Sequence, residues 1–251
     1  MNIAVAGKGG TGKTTFTALM IRALIKNDER PILAVDADAN ANLNEALGME
    51  VQAKITRVLE EFKDKKDEIP PGMDKINYME LQLSSALSEE KDVDLLVMGG
   101  PTGSGCYCYP NDLLKKFIDK LNDNYPYMVM DNEAGLEHLS RRTTQDIDAL
   151  YVISDASARG IRSAGRVKEI VDDLDLKVDQ IYLVVTKTTG NELEILQDEI
   201  DKTGLEVIGT VPRDEEILEY DLHGKPLIDL PDESAVVESV EKIVEKTVLA
   251  D

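Results

Sequence analysis

The stretch GKGGTGKT, from Gly7 to Thr14, fits the pattern G-x-x-x-x-G-K-[ST] without a gap. It follows a short apolar run and opens a helical pattern, which is the context that makes the match credible. Glycines let the backbone turn so that several N–H groups face one phosphate, and a helix N-terminus adds partial positive charge. The stretch predicts a loop that binds the phosphates of a nucleotide; the alternative is a glycine-rich turn without function. The expected contacts are Gly9, Gly10, Thr11, Gly12, Lys13, Thr14 and Thr15.

Three side chains of this loop carry distinct predicted roles. Lys13 is expected to reach the β- and γ-phosphates and to act in catalysis, and the Thr14 hydroxyl is expected to ligate Mg²⁺. Lys8 lies near the start of the loop, where it cannot easily serve its own chain's phosphates. It would more naturally cross to a nucleotide in a facing subunit, the alternative being a solvated lysine.

Carboxylates follow two other predicted strands. Asp36 and Asp38 end the strand in VDADAN, and Asp131 ends the strand in VMDNEAG. Ligands of an open parallel sheet bind beyond the carboxyl ends of its strands, so these groups are expected at the same edge as the phosphate loop. Asp131 is placed to hold the Mg²⁺ shell through water, and Asp38 to orient an attacking water. The alternative for each is a turn residue or helix cap.

The stretch VVTKTTG, which includes Thr186 and Lys187, bears on which nucleotide base the chain binds. Guanine recognition in P-loop GTPases usually needs Asn/Thr-Lys-x-Asp. Thr189 stands where that aspartate would be, so its contact with the base edge is not available. The stretch therefore favours ATP over GTP.

Apolar, β-branched runs recur along the chain and predict buried parallel strands. Helical patterns lie between most of them, over 14–27, 110–122, 158–174 and 191–202 among others, and one or two surface helices are expected within 50–93. This alternation predicts an α/β fold with a doubly wound, mostly parallel sheet, forming a single domain over 1–251. The predicted strands are 2–6, 31–36, 94–100, 127–131, 148–154, 180–186 and 206–212.

Composition limits the partners. The formal net charge is −21, from 49 acidic and 28 basic residues, and no basic run is present. Such a surface repels nucleic-acid phosphates and anionic lipid headgroups, so neither nucleic acid nor membrane is an expected partner. The N-terminus lacks the features of a signal peptide, and no apolar run approaches the ~20 residues of a spanning helix. A cytoplasmic protein is expected.

The two cysteines, Cys106 and Cys108, lie in one tripeptide. Alternate residues of an extended segment point the same way, so this pair can offer two thiolates to one Ni²⁺ or Zn²⁺ ion. A closed site needs about four ligands, which a symmetric homodimer would supply as four sulfurs. Tetrahedral sulfur suits Zn²⁺, whereas Ni²⁺ with thiolates more often prefers a square plane. The alternative is two ordinary thiols in a loop.

GKGGTGKT with its early Lys8, DAD at 36–38 and DNEAG at 131–135 resemble the deviant-Walker ATPases, a group that includes the nitrogenase iron protein and the cell-division and partition ATPases. The resemblance implies the SIMIBI-type P-loop NTPase topology and a nucleotide-sandwich dimer that Lys8 bridges. It also implies switch roles for Asp38 and for the segment from Asp131 to Gly135. TVPRDEE resembles the segment whose backbone contacts adenine, near Pro212 and Arg213. Thr186 stands where that group usually has an asparagine for adenine.

A narrower resemblance covers nearly the whole chain. GCYC, DNEAGLEHLSR (131–141) and EEILEYDLHGKPL (215–227) are similar to the CooC/AcsF branch, the nickel-insertion ATPases of carbon monoxide dehydrogenase and acetyl-CoA synthase. The resemblance implies ATP hydrolysis, nickel bound by Cys106 and Cys108, and one of those enzymes as client. An iron–sulfur carrier or reductase would use the same four thiolates for a cluster. A positioning ATPase would need a basic DNA-binding face or a membrane helix, and the sequence shows neither.

Overall fold

A computed structural model of the chain describes residues 1–64, 69–70, 72–100, 116–133 and 146–249. The strands are β1 (Asn2–Gly7), β2 (Ile32–Ala37), β3 (Ser88–Glu89), β4 (Val93–Val97), β5 (Tyr127–Asn132), β6 (Asp146–Asp155), β7 (Lys177–Thr188) and β8 (Glu206–Pro212). The helices are α1 (Lys13–Lys26), α2 (Leu43–Leu47), α3 (Ile55–Asp64), α4 (Lys75–Ser84), α5 (Ala158–Asp173), α6 (Glu192–Thr203), α7 (Glu215–Leu222) and α8 (Ala235–Thr247). Residues 116–122 are also helical, and Leu227–Asp229 form a 3₁₀ turn.

The described strands form one sheet in the order β3-β4-β2-β5-β1-β6-β7-β8. Neighbouring strands are parallel except for the short pair β3 and β4. All six residues of β2 are buried, as expected for a strand covered on both faces. The predicted α/β class with a doubly wound, mostly parallel sheet is confirmed. The seven predicted strands are present with bounds that differ by at most a few residues.

Helices cover both faces of this sheet. On one face, α1, α2 and α8 pack over a core that includes Phe16, Leu19 and Val240. On the other face, α3 to α6 and the helical residues 116–122 enclose a second core, which includes Leu59 and Leu183. The C-terminal helix α8 buries one apolar stripe in the first core, formed by Val236, Val240, Ile243 and Val244.

One or two surface helices were expected within 50–93; the structure has two, α3 and α4, and both contribute to the core. Ile55, Leu59 and Phe62 recur along α3 at helical spacing and are buried, and α4 buries Met79 and Leu83. Because charged residues lie between these positions, the average composition of the segment does not indicate an apolar stripe. The sequence analysis also missed β3, which has two residues, and α7, which buries none of its residues. In the described ranges, no helix combines the length and apolar character needed to cross a bilayer.

Gly7 fixes the exit of β1 toward the phosphate loop. Its backbone has φ 149°, and it pairs with Ile153 on the adjacent β6. A Cβ atom at Gly7 would lie 2.2 Å from the carbonyl oxygen of Ile153. Because that obstacle is backbone, no rotation of a side chain relieves it. Only glycine lets β1 and β6 approach this closely where the loop begins.

We expect Gly7→Ala to lower the free energy of unfolding by about 3 kcal/mol, the upper part of the range for overpacking. Gly190→Ala is the matched control, because a Cβ there meets nothing within 4 Å. The measurement is the urea-unfolding midpoint of each variant, with the control expected within about 0.5 kcal/mol of the wild type. Equal stability of the two variants would contradict the close approach of β1 and β6.

Candidate functional site

The loop between β1 and α1 has the backbone conformation of an anion-binding turn. Gly10 and Gly12 have φ of 78° and 88°, in the left-handed region that favours glycine. Gly12 is the N-cap of α1, and no side chain caps the helix there. The first N–H groups of α1 are therefore left for another partner, and the helix dipole favours a negatively charged one.

The lysines of the loop differ in exposure. Lys13 is 7% exposed, and its Nζ atom lies 3.5 Å from the carbonyl oxygen of Lys8, to which it donates. The Thr11 hydroxyl donates to the same carbonyl oxygen at 2.8 Å. The side chain of Lys8, by contrast, belongs to an exposed residue. The structure thus holds Lys13 inside the loop and leaves Lys8 at the surface.

Asp131 meets the loop at the carboxyl edge of the sheet, as expected. The Thr14 hydroxyl donates a hydrogen bond of 2.6 Å to Oδ2 of Asp131. Asp131 is 1% exposed, and its Oδ1 atom is buried without a hydrogen-bond partner. A buried carboxylate oxygen with no donor is costly unless a cation or a proton satisfies it.

Asp36 lies beside Asp131, because the two residues are register partners on the parallel strands β2 and β5. Asp36 is fully buried, and its carboxylate accepts hydrogen bonds from the backbone N–H groups of Asp38 at 3.0 Å and Leu43 at 2.9 Å. It therefore ties the loop after β2 to the start of α2. Burial raises the pKa of Asp36, and these two backbone hydrogen bonds oppose the rise.

Burial also raises the pKa of Asp131, from 3.8 to about 7. The hydrogen bond from Thr14 lowers this pKa, the carboxylate of Asp36 raises it and the ammonium of Lys13 lowers it. When both are ionised, two buried carboxyls side by side carry more negative charge than one buried lysine offsets. The site is therefore prepared to accept a cation.

Asp38 follows this buried pair and is half-buried on the wall of a cavity of about 1090 Å³. Its Oδ1 atom accepts a hydrogen bond of 2.8 Å from the N–H of Asn40. Glu133, also half-buried, lines the same cavity just after β5. The cavity lies above the phosphate loop, which supplies Gly9 to Thr15 to its wall.

The far side of the cavity is formed by the ends of β7 and β8. It is lined by the four residues that the sequence analysis connects with the base: Thr186, Lys187, Pro212 and Arg213. The hydroxyl of Thr186 donates to the carbonyl oxygens of Thr11 at 2.7 Å and Ser154 at 3.1 Å. Lys187 donates from Nζ to the carbonyl oxygen of Gly10 at 2.7 Å.

The sequence analysis missed the helix that closes this side of the cavity. Asp214 caps α7 by accepting from the N–H of Glu216 at 2.9 Å, and Ile217 and Leu218 of that helix line the cavity. The signal was present as an aspartate followed by two glutamates, which is typical of a helix N-terminus.

Cys106, Cys108 and Gly135 lie outside the described residues. The thiolate site therefore stays a prediction, and so does the switch role of the segment from Asp131 to Gly135. Within the ranges that the structure does describe, no three His, Cys, Asp or Glu side chains form a cluster able to hold a metal ion.

Residues 3–227 match the CobQ/CobB/MinD/ParA nucleotide binding domain. An uncharacterised ATP-binding protein of Methanocaldococcus jannaschii is 48% identical over 250 residues, covering 99% of this chain and 98% of that protein. The carbon monoxide dehydrogenase accessory protein CooC of Rhodospirillum rubrum is 27% identical over 248 residues, covering 92% of this chain and 90% of that protein.

Solved structures of similar fold include the MinD cell division protein of Aquifex aeolicus. That structure has a TM-score of 0.73 at 22% identity and covers 100% of this chain and 98% of its own. The septum site-determining protein MinD of Pyrococcus horikoshii, complexed with Mg-ADP, has a TM-score of 0.69 at 21% identity, covering 98% and 96%. At these identities the likeness shows the fold.

We expect Asp131→Asn to gain stability relative to the wild type as pH rises from about 4 to about 7, in metal-free buffer. In the wild type the unfolded chain ionises this carboxyl above pH 3.8, whereas the folded chain keeps it protonated up to about pH 7. The folded wild type therefore loses stability across this window, by about 1.4 kcal/mol for each unit of pKa difference, and the loss is complete above it.

The measurement is the difference in unfolding free energy between variant and wild type, by urea titration from pH 4 to pH 8. Asp198→Asn, at an exposed position of α6, is the matched control and should show no such trend. A difference that stays flat for Asp131→Asn would mean that this carboxyl ionises at an ordinary pH.

Proposed function

From the premise that the chain belongs to the CobQ/CobB/MinD/ParA nucleotide-binding family and is a P-loop ATPase, we propose that it is a nickel-insertion ATPase. In this proposal a single domain over 1–251 binds ATP and Mg²⁺, dimerises and delivers nickel to carbon monoxide dehydrogenase or acetyl-CoA synthase. One observation carries it: a chain with its two cysteines in one Cys-x-Cys tripeptide is similar, over nine-tenths of its length, to a carbon monoxide dehydrogenase accessory protein.

The residues at the carboxyl edge fit Mg²⁺. The unpartnered, buried Oδ1 atom of Asp131 and the hydroxyl of Thr14 next to it are hard oxygen donors, the kind that this ion prefers. Thr14 would hold the ion directly and Asp131 through water, with Asp36 adding negative charge. When bound there, the ion would offset the negative charge that develops on phosphate oxygens during phosphoryl transfer.

The remaining roles belong to the chain's own groups. The N–H groups of the loop from Gly9 to Thr15 bind phosphate oxygens, and Lys13 neutralises the β- and γ-phosphates from its buried position. Asp38, half-buried in the cavity wall, orients the water that attacks the γ-phosphorus. The base of the nucleotide is proposed to bind near Thr186, Lys187, Pro212 and Arg213. Gly135 is proposed to act as part of the switch segment from Asp131 to Gly135.

Dimerisation is proposed to run through Lys8. Its side chain is exposed, and among the described residues the structure gives it no ion pair with a carboxylate. An exposed ammonium beside a phosphate site can reach a nucleotide held by a second copy. That copy also supplies the second pair of thiolates that a four-coordinate metal site needs.

Nickel is the cargo in this proposal. Cys106 and Cys108 of two copies offer four soft thiolates to one ion, and the net charge of −21 favours the approach of a cation. Closure of the dimer by ATP would complete the site, and hydrolysis would open it and release the ion to the client enzyme.

We expect Lys8→Met to stay monomeric with Mg²⁺ and a non-hydrolysable ATP analogue, under conditions where the wild type dimerises. Its affinity for the analogue as a monomer should be unchanged, because the exposed side chain does not line its own cavity. Lys75→Met, at an exposed position on α4, is the matched control. Light scattering coupled to size exclusion measures the mass, and a normal dimer of Lys8→Met would remove Lys8 from the interface.

We expect Cys106→Ser and Cys108→Ser to abolish nickel binding and to leave ATP binding intact, because the thiolates serve only the metal. The measurement is an anaerobic nickel titration with and without ATP and Mg²⁺, following thiolate-to-metal absorption and molecular mass together. The wild type should bind one nickel ion per dimer.

Two outcomes would contradict nickel insertion. A brown protein that carries iron and sulfide would identify an iron–sulfur carrier instead. A wild type that binds no metal while its ATP-dependent dimer forms normally would remove any role for the two thiols as a metal site.

A further inference from the structure

Two successive carbonyl groups of the phosphate loop accept hydrogen bonds from the end of β7. The ammonium of Lys187 donates to the carbonyl oxygen of Gly10 at 2.7 Å, and the hydroxyl of Thr186 donates to that of Thr11 at 2.7 Å. Thr186 is 5% exposed, and its hydroxyl is shared with the carbonyl oxygen of Ser154 on β6. The end of β7 thus contacts both the loop that follows β1 and the end of β6.

These contacts bear on how the loop binds an anion. In each planar peptide unit the N–H and the C=O point in opposite directions, so a loop that turns its N–H groups toward a phosphate turns carbonyl groups away from it. Those carbonyls need donors of their own if the conformation is to persist before the nucleotide arrives. Thr186 and Lys187 supply donors to the two carbonyls at the middle of the loop.

The backbone at Lys187 departs from regular strand geometry. Lys187 has φ 59°, in the left-handed region that residues other than glycine rarely adopt. The register between β7 and β8 shifts between Thr186 and Thr188, which marks a bulge. In a regular strand, neighbouring side chains point to opposite faces, whereas here both Thr186 and Lys187 reach the loop. A left-handed backbone at a lysine is energetically unfavourable, and such strain persists where the surrounding structure requires it. Here it directs the side chain of Lys187 to the phosphate loop.

We propose that Thr186 and Lys187 are positioning residues, which hold the phosphate loop in its anion-binding shape by hydrogen bonds to the carbonyls of Thr11 and Gly10. This inference rests on the proposed use of the loop for ATP phosphates. It changes the expected role of both residues, because their donors serve the loop and are not available to the base. Their contribution to affinity is then independent of which base the nucleotide carries.

The test compares ATP with inorganic tripolyphosphate, which has the phosphates but no base. We expect Lys187→Met to weaken the binding of both ligands by about tenfold, and Thr186→Val to weaken both by about fivefold, as loss of one hydrogen bond each. Lys187→Arg, which keeps a donor and the charge, should restore most of the affinity. Lys177→Met is the matched control, because Lys177 lies at the opposite end of the same strand.

Isothermal titration calorimetry at several salt concentrations measures these affinities. A loss confined to ATP would assign the two residues to the base and overturn the inference, as would no loss for either ligand. A loss of affinity in Lys187→Met that disappears at high salt would show that its ammonium acts on the phosphates by its charge alone, which also overturns the role of Lys187.

The midpoint of thermal unfolding of the nucleotide-free variants distinguishes a general loss of stability from a loss of phosphate-loop positioning. Lys187 is exposed, so Lys187→Met should keep the wild-type midpoint even if Thr186→Val, at a buried position, does not. The comparison of ATP and tripolyphosphate affinities tests only phosphate binding by the loop. Failure of nickel delivery would therefore contradict the proposed function without touching this inference.

Discussion

A loop that offers its N–H groups to an anion must turn its carbonyl groups elsewhere, and those carbonyls need partners. In this chain the partners come from two sources: from within the loop by Thr11 and Lys13, and from β7 by Thr186 and Lys187. The strand order β1-β6-β7 brings the donors of β7 to the loop, and β1 ends at Gly7, a position that has no room for a side chain.

The electrostatics of the cavity edge differ from those of the surface. The surface carries a large net negative charge, whereas at the cavity edge the buried Lys13 lies among Asp36 and Asp131. Each buried carboxyl is costly alone, which is why burial raises the pKa of both. A divalent cation together with phosphates balances this arrangement better than either does separately. The geometry therefore favours the metal–nucleotide complex as the ligand, because a cation lets these carboxyls ionise in a buried place.

The proposed nickel chemistry adds a constraint of symmetry to this nucleotide site. In the proposal each copy would contribute two thiolates and one exposed Lys8, so that neither the metal site nor the closed nucleotide site would be complete in one chain. The association of two copies would complete both sites. ATP binding and metal capture can be linked in this way without a long pathway through the core of either subunit.

The sequence by itself determined the fold class, the seven long strands and the residues of the phosphate loop, because these depend on local patterns of apolar residues and on glycines at fixed spacing. It also identified Asp36, Asp38 and Asp131 as neighbours, since carboxyl ends of parallel strands share one edge. It did not indicate that α3 and α4 contribute to the core, because charges between their apolar positions dilute the signal, nor that α7 forms a wall of the cavity.

Only the tertiary structure decided what Thr186 and Lys187 contact. From the sequence both were expected to lie near the base, and the structure does bring them to the cavity, but their donors are directed to the carbonyls of the phosphate loop. That direction depends on a bulge and a left-handed backbone at Lys187, in a strand that lies far from the loop in sequence but close to it in the sheet. Hydrogen bonds over 175 residues of chain are set by strand order and register, which no local pattern of residue types encodes.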